Sequence, residues 1–345
     1  MPNDQKPFVS IVAPCYNEEA ILELNIKTII SYLETKADKY NWEIVIINDG
    51  SKDDTAAIAN RLAEENPPVR AVHHPTNMNL GNAIKTGFSN SRGEIIVVVD
   101  IDLSYSEQLI ETMVDKLIET NADIVMASPY MKGGKVIAVP FQRRIMSAWV
   151  NRFMSFAAQD KYHTFTGMVR AYRKSFIQTL NLKTRDYEIN PEIVYKAMIL
   201  RAKIIEVPAN LDWTEQNKFK GKRTSSLRVL RSFFSGLMSG FIFRPYIFFI
   251  GIGAILMLLS LYELVWLLYD VIADMSKAVL PGQEHSFSHS LAVEFQKNPQ
   301  SFLVGGLTFI IAIQFLSVGF LSLQSKRYFE ELFHLGTSFK KPKES

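Results

Sequence analysis

Cysteine is almost absent from this 345-residue chain: Cys15 is the only one, so no disulfide can form within it. Charge of one sign is also scarce, because 38 basic and 35 acidic residues leave a net charge of only +3. Such a balance gives no sign of a nucleic-acid partner. Hydrophobic residues make up 48% of the chain, which is too many for a disordered protein. The single cysteine therefore excludes a disulfide-stapled scaffold. Because the net charge is small, we expect no nucleic acid among the partners.

Two familiar nucleotide-binding loops are missing as well. The chain has no G-x-x-x-x-G-K-[S/T] loop and no G-x-G-x-x-G fingerprint, so ATP hydrolysis and hydride transfer both lose support. Its first residues are mostly polar and lack the apolar core of a signal peptide. We therefore expect the N-terminal domain to remain in the compartment where it is synthesised.

Long apolar runs, by contrast, are present twice near the C-terminus. Residues 245–269 contain one formal charge, Glu263, and residues 302–323 contain none. Because about 20 apolar residues span the hydrocarbon core of a bilayer, both runs predict transmembrane helices, with a buried core helix as the alternative. Glu263 is either a functional or pairing site within the membrane or a residue near the outer interface. Its place close to the end of the run favours the second interpretation.

The charges around the two runs predict their orientation. The loop of residues 270–301 carries two lysines and four acidic residues, whereas basic residues cluster on the other sides of the runs. The basic residues are Arg228, Arg231 and Arg244 before the first run and Lys326, Arg327, Lys340, Lys341 and Lys343 after the second. By the positive-inside rule, the N-terminal domain and the tail of residues 324–345 face the cytoplasm, and the loop lies outside. We therefore predict an integral protein of the inner or plasma membrane with two spans.

Two other segments, residues 140–158 and 224–242, combine apolar residues at helical spacing with basic residues. Arg143 and Arg144 belong to the first of them. Basic amphipathic helices lie on anionic membrane surfaces, and an ordinary core-facing helix is the alternative for each segment. The predicted order is a catalytic domain over residues 1–223, an interface helix, and the two spans with their loop and tail.

The N-terminal domain alternates between two kinds of pattern. β-branched apolar runs predict strands at residues 8–14, 42–48, 69–73, 95–99 and 124–127. Helical patterns lie between them at residues 19–36, 53–65, 80–90 and 105–119. Strands that alternate with helices predict a mostly parallel sheet with helices on both faces. Ligands of such sheets bind at the carboxyl ends of the strands, so functional residues are expected there.

Polar residues follow three of the predicted strands. Residues 14–19 read PCYNEE, residues 48–51 read NDGS, and residues 100–102 read DID. One aspartate at a strand end is usually a turn or a helix cap, but three such groups at one sheet edge indicate a site. Asp100 and Asp102 are suited to hold a divalent ion that bridges a diphosphate, because Mg²⁺ takes one or two carboxylates together with substrate phosphates.

Further motifs extend this pattern. PCYNEE, INDGS, NLGNAIKTG and DID occur in this order, followed by TGMVR at residues 166–170, YEINPE at residues 187–192 and EVP at residues 206–208. Together they resemble the family 2 glycosyltransferases with the GT-A fold, and among them the branch that glycosylates polyprenyl phosphates, such as dolichol-phosphate mannose synthases. The resemblance covers about residues 8–325.

The resemblance implies inverting transfer of a sugar from a nucleotide sugar to a polyprenyl monophosphate, among membrane lipids and with Mg²⁺ or Mn²⁺. It also implies a Rossmann-like mixed sheet with helices on both faces. Asp100 and Asp102 would hold the metal ion and the diphosphate, and Asp102 and Glu192 are the predicted catalytic residues. The donor nucleotide would contact the two aspartates and Pro14, Tyr16, Glu18 and Asp49. The sequence leaves open whether the chain forms a homo-oligomer.

The chain departs from the family pattern at three places. Ser104 stands where the family often has a glutamine ligand, and Pro129 stands where it often has a phosphate-binding arginine. A longer loop replaces the family's Arg-x-x-Gly-x-Ser-Lys segment after EVP, and we predict that Lys222 or Arg223 substitutes there. Arg143 and Arg144 either bind the acceptor phosphate or face the lipid headgroups, and the first is favoured because guanidinium groups suit bidentate phosphate binding. The predicted acceptor-phosphate residues are Arg143, Arg144, Lys222 and Arg223.

Other interpretations of the same residues stay open. Glu192 either lies near the transferred sugar or is a first-turn acid of the helix after Pro191. His73 and His74 have no metal-ligand spacing around them and are predicted to be surface residues at a strand end. A processive polysaccharide synthase of the same fold is one alternative function, although no QxxRW motif occurs. A catalytically idle nucleotide-binding scaffold is another, and the retained aspartate pair argues against it.

Overall fold

A computed structural model describes residues 6–158, 162–214, 244–276 and 286–338. The chain divides into two compact units. The first comprises Met1–Gly240 with Leu332–Ser345, and the second comprises Phe241–Glu331. The predicted interface helix at residues 224–242 lies outside the described residues, as do Lys222, Arg223, Lys340, Lys341 and Lys343.

The first unit is built on a seven-stranded sheet with the order β3-β2-β1-β4-β7-β5-β8. Its strands are β1 (Phe8–Cys15), β2 (Asn41–Asn48), β3 (Val69–His73), β4 (Ile95–Val98), β5 (Ile124–Ser128), β7 (Arg170–Arg173) and β8 (Ile204–Pro208). Two short strands, β6 (Lys135–Ile137) and β9 (Asn210–Asp212), form a separate parallel pair. The five strands predicted from β-branched runs are confirmed, each end lying within one residue of its prediction.

Helices cover both faces of this sheet. They are α1 (Leu22–Glu34), α2 (Thr55–Glu65), α3 (Leu80–Asn90), α4 (Gln108–Thr120), α5 (Phe141–Ala158), α6 (Lys174–Ile177) and α7 (Ile189–Ile199). One apolar core forms between the sheet and α1, α2 and α4, and a second forms on the side of α3, α5 and α7. The central strands β1 and β2 are mostly apolar because both of their faces are buried, and their buried polar residues bond to each other, Ser10 Oγ donating to Glu43 Oε1 at 2.7 Å. The predicted mixed sheet with helices on both faces is confirmed.

Strand β7 is the element that the apolar pattern does not reveal. It reads RAYR, and it runs antiparallel between β4 and β5 in an otherwise parallel set of pairings within the described sheet. Its alternate residues Arg170 and Tyr172 are fully buried. A buried arginine interrupts the apolar run by which a central strand is usually identified. The sequence pattern therefore did not predict β7.

Helix α5 occupies the first segment predicted to be amphipathic. Val150 and Met154 pack into the core, whereas Phe141, Ile145 and Trp149 are 74%, 41% and 69% exposed. The exposed residues are spaced four apart and so lie on one side of the helix. The helix therefore has both a core-facing side and an exposed apolar side, and contact of the latter with a membrane stays a prediction.

The second unit consists of α8 (Pro245–Ser276), α9 (Phe287–Lys297) and the greater part of α10 (Pro299–Ser338). The most apolar 18-residue windows of α8 and α10 have mean hydropathies of 2.2 and 2.1, and only 11% of each window is buried. Both helices are long and apolar enough to cross a membrane. They continue past the apolar runs, and no proline interrupts residues 270–276 or 324–338.

Glycines bring α8 and α10 close together. A Cβ on Gly253 would lie 2.9 Å from Leu316 Cγ, and one on Gly319 would lie 2.6 Å from Ile250 Cγ1. Ser260, which is buried, donates a hydrogen bond to the Gly305 carbonyl. Small residues at helix contacts and a hydroxyl bonded across them are typical of helices that pack within lipid.

Candidate active site

The loop that follows β1 is fixed by side chains of the loop that follows β2. The backbone N–H of Asn17 donates to Ser51 Oγ at 2.9 Å, and that of Glu18 donates to Thr55 Oγ1 at 2.9 Å. The Asn17 side chain returns a bond, since its Oδ1 accepts from Lys52 N at 2.8 Å. These bonds hold Glu18 and the exposed Tyr16 on a rigid loop at the edge of the sheet.

Asp49, which comes directly after β2, is buried and hydrogen-bonded on one oxygen. Its Oδ1 accepts from Met78 N at 2.9 Å and lies 2.6 Å from Nδ1 of His74. The other ring nitrogen of His74 lies 2.9 Å from Thr86 Oγ1 on α3. The chain before α3 is therefore attached to Asp49 through both its backbone and its histidine.

The prediction that His74 is a surface residue is wrong, because its side chain is only 8% exposed. The pairing of β2 with β3 places Asn48 opposite His73, so the next residue on each strand, Asp49 and His74, also meet. Strand order and register would have been needed to find this contact, and neither follows from spacing in the sequence.

Gly50 allows these loops to approach each other. Its φ is +66°, and a Cβ placed on it would lie 2.2 Å from the carbonyl carbon of Thr76. Both the left-handed backbone and the lack of space require glycine. The glycine in the turn after β2 thus has a steric cause within this chain.

Asp100 and Asp102 follow β4, at the same edge of the sheet. The turn is closed by Ser104, whose N–H donates to Asp102 Oδ1 at 3.0 Å and whose carbonyl accepts from Asp212 N at 2.9 Å. Ser104 is itself buried. Ser104, which stands where the family often has a glutamine, therefore stabilises the turn that carries the two aspartates.

Tyr105 lies close to this turn. Burial raises its pKa, and the negative charge of Asp100 raises it further, with smaller contributions from Tyr130 and Asp102. The charge of Arg170 acts in the opposite direction. The hydroxyl consequently stays protonated near neutral pH.

The aspartate pair suits a divalent ion by the chemistry of its donors. Among the described residues, no group of three or more His, Cys, Asp or Glu side chains is placed to enclose a metal. An ion at this turn would therefore take one or two carboxylates from the protein and its other oxygens from a diphosphate and water, as Mg²⁺ commonly does. The assignment of Asp100 and Asp102 as metal ligands stays a prediction.

Arg143 and Arg144 are exposed on the first turn of α5. The guanidinium carbon of Arg143 lies 4.4 Å from the centre of the Trp213 ring. Trp213 directly follows Asp212, which is bonded to the turn of Asp102. Arg144 is close enough to lower the pKa of Tyr130, which burial raises. The structure thus brings both arginines beside segments that border the aspartate turn.

Glu192 is buried, and four donors occupy its carboxylate. Oε1 accepts from Lys183 N at 2.8 Å and Lys196 Nζ at 2.5 Å, and Oε2 accepts from Thr184 N at 2.9 Å and Thr184 Oγ1 at 2.5 Å. Burial alone raises the pKa of Glu192, but the bonds from Lys196 and Thr184 outweigh it and lower the pKa. The carboxylate holds the loop before α7 in place, and its predicted catalytic role stays a prediction.

Arg170 is a residue that the sequence did not single out for a role. It is fully buried, and its guanidinium donates to the carbonyls of Asn190 at 2.9 Å and Phe165 at 2.6 Å. Phe165 N in turn donates to Asn151 Oδ1 on α5 at 2.7 Å. One buried cation therefore connects β7, α7 and the segment that follows α5.

Pro14 and Cys15 complete the end of β1, and both are buried. Pro14 pairs with Ile47 of β2 and shapes the strand end from within the sheet. Burial, together with the nearby acids Glu18, Asp53 and Asp49, raises the pKa of the Cys15 thiol to about 12. A thiol in this state is a packing group and a poor nucleophile.

The chain is similar in sequence to several known proteins. Residues 10–180 match the sequence model of glycosyl transferase family 2. The chain is 30% identical over 219 residues to a dolichol-phosphate mannosyltransferase of Pyrococcus furiosus, a match that covers 62% of this chain and 60% of the relative. It is 27% identical over 232 residues to a dolichyl-phosphate beta-glucosyltransferase of Trichomonas vaginalis, covering 64% and 70%.

Among solved structures, mannosyl-3-phosphoglycerate synthase from Rubrobacter xylanophilus superposes with a TM-score of 0.50 at 16% identity. The match covers 68% of this chain and 72% of that one, and it concerns the fold alone. The N-terminal unit has the mixed α/β GT-A fold. Residues 10–180 of that unit form a glycosyl transferase family 2 domain.

Proposed function

We propose that this enzyme transfers a sugar from a nucleotide-diphosphate sugar to a polyprenyl monophosphate, such as undecaprenyl or dolichyl phosphate, with inversion at the anomeric carbon. The observation that carries the proposal is the placement of Asp100 and Asp102 at a strand end beside the loops of Tyr16 and Asp49. The names of the two relatives, which refer to dolichol phosphate, support the acceptor class. Two long apolar helices suit an acceptor that resides in a bilayer.

The donor nucleotide is assigned to the edge formed by the loops after β1 and β2. Tyr16 offers an exposed aromatic ring for stacking, and Glu18 offers a carboxylate on a loop that is already rigid. Asp49 is oriented by His74 and by the backbone before α3. Pro14 contributes to the shape of the strand end. Binding groups that are fixed in advance lose little freedom when the ligand arrives.

The diphosphate is assigned to Asp100 and Asp102, which would hold Mg²⁺ or Mn²⁺. A bound divalent ion would neutralise negative charge on the diphosphate as it leaves. The protein's own contribution is a rigid turn, because Ser104 bonds Asp102 and accepts a bond from Asp212. A preorganised turn needs no rearrangement at the moment of reaction.

The acceptor phosphate supplies its own nucleophile. The second pKa of a phosphate monoester is roughly 6, so near neutral pH the group is mostly a dianion and needs no base to remove a proton. Its oxygen forms the new bond to the anomeric carbon while the bond to the diphosphate breaks, and the electron pair leaves with the diphosphate. Attack from the face opposite the leaving group gives inversion. Arg143, Arg144 and a basic residue at Lys222 or Arg223 would offset the repulsion between the two anions.

The membrane arrangement follows from charge and from exposed apolar surface. Phe141, Ile145 and Trp149 line one side of α5, next to Arg144, a combination that suits an anionic bilayer surface. The basic residues around the two apolar helices support a catalytic unit and a C-terminal tail on the cytoplasmic side. The donor and the lipid phosphate would then meet at the cytoplasmic face.

A panel of UDP- and GDP-sugars tested against undecaprenyl and dolichyl phosphate examines the proposal directly. We expect one labelled sugar to move into the organic phase as an acid-labile lipid phosphate sugar. Transfer should vanish in Asp102→Asn and persist in Asp38→Asn, which removes an exposed carboxylate outside the site. Transfer to a soluble carbohydrate, with none to either lipid phosphate, would refute the assigned acceptor.

A further inference from the structure

Helix α9 lies within the segment that joins α8 to α10, which the sequence marked only as a loop. Ser286 precedes it in an extended conformation, and its hydroxyl accepts from the backbone N–H of His289 at 3.3 Å. A serine cap of this kind fixes the residue at which a helix begins. The segment is thus a defined helix, Phe287–Lys297, whose faces have fixed directions.

The face of α9 that packs against α8 is polar. Ser290 and Glu294, one turn apart, are 0% and 4% exposed. Lys297 lies 3.8 Å from Glu294 Oε2 and 3.7 Å from Asp274 Oδ1 of α8, and Asn298 donates to Glu294 Oε1. The ion pair of Lys297 with Asp274 therefore connects α9 to α8, and α9 buries a serine and a glutamate, whereas in a water-soluble protein polar groups usually face solvent.

The apolar residues of α9 lie on a different side. Phe287, Leu291 and Phe295 are spaced four residues apart and run along one flank, and the two phenylalanines are 51% and 49% exposed. His289 and Gln296 project from the opposite side, as the helical period of 3.6 residues requires. The helix therefore carries an apolar flank (Phe287, Leu291 and Phe295) and a polar outer side, in addition to its polar attachment to α8.

The apolar flank continues into the apolar surface of α10. The rings of Phe295 and Phe302 meet edge to face with centres 5.1 Å apart, and Phe302 opens the uncharged run of α10. The adjoining residues Leu303 and Val304 are 61% and 58% exposed. The flank and the beginning of α10 thus form one uninterrupted apolar surface, so whatever covers α10 also reaches α9.

Aromatic residues of α8 indicate the depth of this surface. Tyr262, Trp266 and Tyr269 form a ladder of edge-to-face contacts, with centres 6.4 Å and 5.8 Å apart. Tyrosine and tryptophan concentrate where the bilayer meets water. Asp274, the residue of α8 that pairs with Lys297 of α9, follows Tyr269 by little more than one helical turn. Helix α9 accordingly lies at the level of the interface.

We propose that α9 lies flat in the membrane–water interface, with its apolar flank among the lipid acyl chains and its outer side in water. The occupant of the flank is the lipid bilayer, because the flank is continuous with the apolar surface of α10. The inference rests on the proposed membrane location of α8 and α10. It makes the connecting segment a lipid-binding element that fixes how deeply the two helices sit.

Spin labels on single cysteines can measure this arrangement, since Cys15→Ala removes the only native thiol. Labels at Phe287 and Phe295 report on the flank, and labels at His289 and Gln296 report on the outer side. Labels at Leu258 and Ile310, exposed on α8 and α10, serve as references for lipid. In phosphatidylcholine–phosphatidylglycerol nanodiscs, we expect the flank and reference labels to relax faster with oxygen than with a water-soluble nickel chelate. The two outer labels should show the reverse order.

The reference labels test the membrane location of α8 and α10 separately from the position of α9. If the reference labels favour oxygen and the flank labels favour the nickel chelate, α9 does not enter lipid although the helices do. Flank labels shielded from both agents would mean that protein covers the flank, which also overturns the inference. Reference labels that favour nickel would instead refute the membrane location and this inference with it.

A second measurement keeps the native phenylalanines in place. Lipids carrying a photoreactive group on the acyl chain should attach to residues of α9 on irradiation, and mass spectrometry can locate the adducts. We expect adducts on Phe287 or Phe295 and on the apolar surfaces of α8 and α10. Adducts on α8 and α10 alone would overturn the proposed position of α9.

Discussion

The two units distribute polar and apolar residues in opposite ways. In the first unit, the central strands β1, β2, β4 and β5 are almost wholly buried, and the polar groups of the candidate site gather at one edge of the sheet, where side chains and backbone bond them in place. In the second, apolar residues such as Leu258 and Leu303 face outward, whereas Ser260, Ser290 and Glu294 are buried. The contrast indicates that water determines the surface of the first unit and that lipid suits the surface of the second.

The largest effect that we expect concerns Asp102. Asp102→Ala removes a predicted ligand of the ion and the diphosphate, so transfer should fall by more than about a thousandfold. Thermal stability should change little, because the side chain lies at a turn and only part of its bonding is to Ser104. Transfer rate and melting temperature check this, and excess EDTA should have the same effect on the native enzyme. Full activity in EDTA would contradict the metal assignment.

Glu192→Gln should have a smaller effect on transfer and a larger one on stability. If Glu192 clamps the loop before α7, transfer should fall by less than about a hundredfold, the low end of a general-base contribution. Stability should fall by about 3 kcal/mol, because Lys196 loses its buried charge partner. A ten-thousandfold loss with intact substrate binding would show instead that the carboxylate is a base.

Because the pKa of Glu192 is lowered by folding, the stability of the native protein depends on pH. Its pKa is lowered in the folded state, so the clamp contributes stability above the pKa of the unfolded chain. That contribution should decline as the pH falls through the lowered folded-state value. Urea unfolding at several acidic pH values should show a shallower decline in Glu192→Gln than in the native protein.

Changing both Arg143 and Arg144 to alanine should raise the KM for lipid phosphate by roughly thirtyfold, since each supplies a charge-assisted contact of about 1 kcal/mol or more. Nucleotide affinity should change much less. Arg173→Ala, which removes an arginine bonded to Asn121 away from the site, is the control. An equal loss of nucleotide affinity with acceptor use intact would place the arginines at the donor.

A pair of glycine substitutions compares the two units directly. Gly50→Ala forces a Cβ into the backbone of Thr76 at a positive φ, and it should cost about 2 kcal/mol of stability. Gly251→Ala in α8 has no atom within 4 Å of the new Cβ and should be neutral or slightly stabilising. Chemical unfolding of the reconstituted protein measures both, and equal costs would contradict the packing of the two regions.

The smallest effect should come from His74. His74→Ala removes the group that orients Asp49, so nucleotide affinity should weaken by roughly tenfold, or about 1.4 kcal/mol. His73→Ala is the matched control, because His73 bonds Asn48 and Asn60 but not Asp49. Calorimetric titration with the nucleotide distinguishes them. A larger loss for His73 than for His74 would disprove the orienting role.

The sequence pattern predicted the strands that consist of β-branched apolar runs. It missed the elements and contacts that depend on how the strands pair. Strands β1 to β5 follow from their β-branched runs, because burial on both faces selects such residues. Strand β7 was not predicted, because buried Arg170 and Tyr172 occupy alternate positions in it and leave no β-branched apolar run. The partnership of Asp49 with His74 arises from the register of β2 and β3, which no local spacing encodes.

The same limit applies to Glu192 and to α9. The sequence placed Glu192 in the first turn of a helix, and the structure confirms that position. Its four bonds, however, come from Lys183, Thr184 and Lys196, and only the folded loop brings the first two within reach. Helix α9 was missed because its polar residues face inward, which reverses the pattern expected of an amphipathic helix in water.

The buried thiol of Cys15 has a consequence for the enzyme under oxidative stress. With a pKa of about 12, its thiolate fraction near neutral pH is on the order of one in 10⁵. Peroxides and disulfides react with thiolates, so this chain presents them with almost no target. No other cysteine exists to form a bridge, within the chain or to a second copy. The proposed sugar transfer should therefore be insensitive to the redox state of the cell, although cysteine occupies a position at the edge of the proposed donor site.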